Sequence, residues 1–131
     1  MKKDTILISE SAMPRVVEIT KSLVSLVDCV NPSWTKAFLR FSSRSHSTEV
    51  KVSFAHTEGV SMVNALSHKD FFHSFPQKGQ DLLTDLGKSE GLFLIIVEKS
   101  LEFEIHFEYE DFNRWAISKA FGGTGIPVGL E

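Results

Sequence analysis

The stretch LEFEIHFEYE, residues 101–110, decides the architecture of this chain. Leu101, Phe103, Ile105, Phe107 and Tyr109 hold its odd positions; Glu102, Glu104, His106, Glu108 and Glu110 hold its even ones. Side chains on a strand alternate between faces, so the spacing predicts a strand with one apolar row and one acidic row. The apolar row requires a core. The acidic row requires water or something positive.

Working back from it, Gly91–Val97 (GLFLIIV) is apolar on both faces. That predicts a central strand covered on both sides, or covered on one and touching an aromatic cluster on the other. Lys99-Ser100 is a short turn, so 91–98 and 101–109 are expected to pair as an antiparallel hairpin. A strand over about 34–43 places Ala37, Leu39 and Phe41 on one face and Lys36, Phe38, Arg40 and Ser42 on the other. A strand over about 48–56 follows, with Val50, Val52 and Phe54 on one face, after a turn (Arg44-Ser45-His46-Ser47) that has no glycine. Residues 60–66 read either as a third short strand or as a connection.

Helical spacing appears in three places. Val16, Ile19, Leu23, Leu26, Val27 and Val30 form one stripe, with Pro14 suited to the first turn and Asn31-Pro32 ending the run. Residues 68–88 read as helical in two pieces broken at Pro76, with Gly87 as C-cap. Phe112, Trp115, Ala116 and Lys119 suggest a last helix ended by Gly122-Gly123. The sum is an α+β fold: an antiparallel sheet of four to five strands with helices packed mainly on one face. Residues 1–131 read as a single domain, with an N-terminal arm over 1–14 and an irregular tail over 121–131.

Composition removes several functions. The net charge of −3 gives no basic excess, so direct nucleic-acid binding is not expected. Cys29 is the only cysteine, which excludes an intrachain disulfide and a cysteine metal cluster; it reads as a small core residue. The opening MKKDTILISESAM carries two lysines, but Asp4 and Glu10 bracket an apolar run of only Ile6 to Ile8. Neither a secretory nor a membrane-spanning segment is expected, and the location expected is the cytoplasm.

No catalytic constellation assembles. Phe121-Gly122-Gly123-Thr124-Gly125 matches no phosphate-binding pattern, and His46, His56, His68, His73 and His106 show no zinc-protease spacing. No nucleophile elbow is present. No catalytic residue, metal or cofactor is therefore expected. The remaining candidate is the acidic strip, Glu102, Glu104, His106, Glu108, Glu110 and Asp111, read either as a solvated face or as a docking surface for a cationic protein. Tyr109 or Trp115 could serve as an aromatic anchor at its edge.

The order of elements, Trp34 shortly after the first helix, and a final strand ending Phe107-Glu108-Tyr109-Glu110-Asp111 carry a resemblance. Over residues 15–120 the chain resembles the YezG-like immunity proteins, small cytoplasmic antitoxins of bacterial polymorphic-toxin and contact-dependent growth inhibition systems. The resemblance implies a non-enzymatic protein that binds and neutralises a cognate toxin domain, often a nuclease; a basic nuclease suits the acidic strip, and a monomer is the favoured state. A dimeric chaperone-like adaptor and a small ligand-binding domain are the alternatives.

Overall fold

Helix α1 (Met13–Val30) opens the part of the chain, residues 12–130, that the computed structural model describes. Residues 1–11, most of the expected arm, lie outside it. Pro14 sits in the first turn, and the Asn31 amide closes the last by donating to the Val27 carbonyl (2.9 Å). The helix buries Val16, Ile19, Leu23, Leu26 and Val27, the stripe that the spacing predicts. Cys29 is exposed rather than buried, because it points away from the side of the cylinder that Leu26, Val27 and Val30 share.

Strands β1 (Lys36–Arg44), β2 (Ser47–His56), β3 (Gly59–Met62), β4 (Gly91–Glu98) and β5 (Phe103–Glu108) form one antiparallel sheet in the order β3-β2-β1-β4-β5. The ambiguous 60–66 stretch contributes the edge strand β3 and leads into a short 3-10 turn, Ala65–Ser67. Ser45 and His46, both at positive φ (54° and 65°), make the two-residue turn between β1 and β2 without glycine.

Helix α2 (Lys69–Asp85) runs unbroken through Pro76, not in two pieces. An internal proline costs a helix on the order of 3 kcal/mol. Burial of Phe75, Leu82 and Leu83 against the sheet returns about 1.5–3 kcal/mol for each side chain, which outweighs that cost. The C-terminus closes as the sequence predicts. Gly87 has φ +78°, its amide donates to the Thr84 carbonyl (2.9 Å), and the Lys88 amide donates to that of Leu83 (2.8 Å).

Both helices cover one face of the sheet, where Ile19, Leu23, Phe75 and Leu83 meet Leu39, Phe41, Phe93 and Phe107. Phe38, Leu92 and Leu94 face the other way and are covered by Trp115 and Ile117 from the chain that follows β5. The doubly apolar β4 is thus buried on both sides. The helix expected around Phe112–Lys119 does not form; this segment is turns and extended chain, with only a 3-10 turn at Ala120–Gly122. Arg40 takes the Phe112 and Arg114 carbonyls that a helix would need for its own amides. Trp115 (φ +57°) and Ile117 both turn onto the sheet, a two-residue spacing.

Gly79 lets α2 lie against the core. A Cβ there would stand 2.7 Å from the ring of Phe41, itself fully buried. Alanine would improve helix propensity by up to about 1 kcal/mol. The overpacking costs about 1–3 kcal/mol, so Gly79→Ala is expected to destabilise the fold on balance in urea unfolding; a raised midpoint would refute this packing account.

Candidate functional site

The even row of β5 does not lie open as one acidic face. The chain that follows the strand folds back across part of it. His106 is buried, with its ring centroid 6.0 Å from that of Trp115, and its Nε2 lies 2.7 Å from Glu104 Oε1. Glu108 turns its carboxylate inward along the chain. One oxygen accepts from the amides of Glu110 and Asp111 (both 3.1 Å), and the other from Arg114 Nη1 (2.7 Å). Glu110 and Asp111 are exposed, in the bend beyond the strand. Glu102 is exposed and Glu104 half-exposed, beside the hairpin end of β5. The strip thus splits: Glu102 and Glu104 at one end, Glu110 and Asp111 at the other, with His106 and Glu108 engaged between them.

Of the two aromatic anchors, Trp115 is buried beneath the Arg114 guanidinium (4.5 Å from the ring centroid). Tyr109 is half-buried, stacked on Phe107, with Lys88 Nζ 4.6 Å from its ring centroid. Burial pushes the Tyr109 hydroxyl pKa up.

Arg40 holds this arrangement. It projects from the middle of β1 on the face away from the helices and is only 5% exposed. Nε donates to the Arg114 carbonyl (2.8 Å), one terminal nitrogen to that of Phe112 (2.7 Å), and the other to Glu49 (3.2 Å). Burial lowers its pKa, opposed by the charges of Glu49 and Asp111. The Ser53 hydroxyl adds a second anchor by donating to the Gly125 carbonyl (2.7 Å).

Apolar surface appears where the parity of the sequence assigns core. Strand pairing of β5 starts at Phe103, because residues 99–101 are spent on the hairpin loop. The Leu101 amide donates to the Glu98 carbonyl (2.7 Å), and the Glu98 amide to that of Glu102 (2.9 Å). This bulged loop requires a left-handed residue at position 101, ordinarily glycine, and Leu101 takes it with φ +79°. The conformation costs a side chain roughly 1–2 kcal/mol. Nothing is gained in burial, since Leu101 is 60% exposed and Phe103 37%. With Val97 of β4 and Val17, Thr20, Lys21, Val24 and Ser25 of α1 they line a groove of about 320 Å3. The loop length was the available signal: three residues between paired strands leave Leu101 outside the ladder.

One serine–histidine pair does form outside the strip. His56 Nε2 lies 2.8 Å from Ser61 Oγ across the β2–β3 hairpin, while the Glu58 amide donates to His56 Nδ1. With Nδ1 accepting, Nε2 carries the proton and donates to the serine, the wrong tautomer for a general base. Among the described residues, no three His, Cys, Asp or Glu side chains are grouped to hold a metal ion, and no helix is long and apolar enough to cross a membrane. No family model matches the chain, and no curated protein matches it in sequence.

Two outcomes follow from the packing of the Arg40 and Glu108 side chains. Arg40→Met leaves two carbonyls unpaired and is expected to cost about 2–3 kcal/mol. Hydrogen exchange should then speed up at the Val128 amide, which bonds to the Ala116 carbonyl; unchanged exchange would remove Arg40 as the anchor of this segment. Glu108 has a lowered pKa, first through the Asp111 amide and then through Arg114. A depressed carboxylate contributes stability above its unfolded pKa, near 4.3, that is lost as pH falls through the folded value. The stability gap between the native chain and Glu108→Gln is therefore expected to be full at neutral pH and to close below about pH 4. A gap independent of pH would count against it.

Proposed function

We propose that this chain is an immunity protein: a monomeric, non-enzymatic domain that binds a basic toxin domain, a nuclease, and neutralises it in the cytoplasm of the producing cell. One observation carries the reading. At the hairpin end of β5, exposed apolar side chains (Leu101 and Phe103) stand beside the carboxylates of Glu102 and Glu104. An apolar centre with a charged rim is the anatomy of a protein interface, and an acidic rim selects a cationic partner. Leu101 strengthens the case, because it holds a strained backbone and an exposed side chain where glycine would fold more easily. The resemblance of residues 15–120 to YezG-like immunity proteins supplies the class of partner.

The groove between α1 and the hairpin also suits a small-ligand domain, the second reading. The groove is mainly apolar but open to solvent, which supports a small ligand less well than a protein contact.

Co-expression with the toxin domain encoded immediately upstream is the test. Growth should be restored, and the purified pair should form a complex whose association slows as salt rises. A toxin that kills regardless, with no complex in solution, would exclude the immunity reading.

A further inference from the structure

The outer edge of β5 is a second feature of the same corner. The Glu98 amide donates to the Glu102 carbonyl, and Glu104, His106 and Glu108 pair with Ile96, Leu94 and Leu92 of β4. In an antiparallel ladder the bonding residues alternate, so these even residues direct their amides and carbonyls toward β4. Phe103, Ile105 and Phe107 direct theirs outward. Among the described residues no strand pairs with that edge. Neither proline nor lysine, two of the usual guards of a free edge, occurs within Phe103–Glu108.

We propose that the partner docks by adding one extended segment to this edge, and that the segment alternates apolar with basic residues. This rests on the immunity reading for the identity of the partner, though not for the chemistry of the segment. A strand laid beside β5 continues its two faces. On the helix side, its side chains meet Phe103, Leu101 and the groove wall of Val17 and Val24, which calls for apolar residues. On the other side they stand next to Glu104 and Glu102, which calls for lysine or arginine. The incoming segment is thus the complement of the hairpin end of the strand, Leu101 to Glu104.

Charge also decides against the other obvious occupant, a second copy of this chain. An antiparallel pairing of two copies that keeps both helix layers on one side sets one even row beside the other. His106 is buried and Glu108 is held by Arg114, so the row contributes chiefly the exposed Glu102 and the half-exposed Glu104. These carboxylates face their own counterparts in the registers that pair the two hairpin ends.

The test uses the full chain and two synthetic peptides of equal length, one alternating valine with lysine and one alternating valine with glutamate. The valine–lysine peptide should bind and the valine–glutamate peptide should not. On binding, the outward amides of Phe103, Ile105 and Phe107 should become protected from hydrogen exchange, a signature that loose charge attraction does not give. Leu101→Gly should weaken binding about tenfold or more without lowering the thermal midpoint, since glycine relieves the left-handed strain. Glu104→Lys should weaken it too and reduce its salt dependence. Equal binding of both peptides, binding without protection of these amides, or a stable dimer in solution would overturn the proposal. Undiminished toxin neutralisation by Leu101→Gly and Glu104→Lys would overturn it while leaving the immunity reading intact. Peptide addition at the edge with no toxin neutralised would leave the edge proposal standing and remove the immunity reading.

Discussion

A guanidinium buried on the sheet holds the two halves of this molecule in register. Arg40 stands on the central strand and spends its donors on two backbone carbonyls more than 70 residues away and on the Glu49 carboxylate. Burying a charge is tolerable only where its hydrogen-bonding capacity is met, and the turn after β5 is bent to meet it. Trp115 and Ile117 then reach the second face of the sheet, and β4 becomes a buried strand on both sides. The covering of His106 and the inward turn of Glu108 belong to the same fold-back. Closing the second apolar layer therefore also interrupts the acidic row.

Elements with a single dominant period were legible from sequence. The stripe of α1, the alternation of β1 and β2, the doubly apolar β4 and the Gly87 cap all stand where local rules put them, because each rule there agrees with the tertiary packing. Misreadings fall where distant partners decide. Pro76 lies within a helix whose burial outweighs the local penalty. Phe112–Lys119 carries helical spacing, but its carbonyls are bound by a side chain from β1. Spacing along a sequence contains no information about such a partner.

The candidate site was half legible. The alternation of LEFEIHFEYE placed Ile105 and Phe107 in the core and the glutamates on the other side. It did not show that the ladder starts two residues late. That delay moves Leu101 and Phe103 from core to surface, and it turns the apolar end of the strand into the exposed part of the corner. The site consequently pairs carboxylates with hydrocarbon, rather than offering carboxylates alone. Hydrocarbon anchors give contact area, whereas exposed carboxylates chiefly govern approach and discrimination between partners.

The fold-back over the second face also has a temporal side. Phe38, Leu92 and Leu94 can lose water only after residues 112–117 have left the ribosome, well after β1 and β2 have been made. Until then the nascent sheet presents an apolar surface and a guanidinium without its carbonyl partners. Such a layer, closed by contacts so distant in sequence, forms slowly and passes through sticky intermediates. The protein's vulnerable period is its own synthesis, and chaperone dependence should concentrate there rather than in the mature chain.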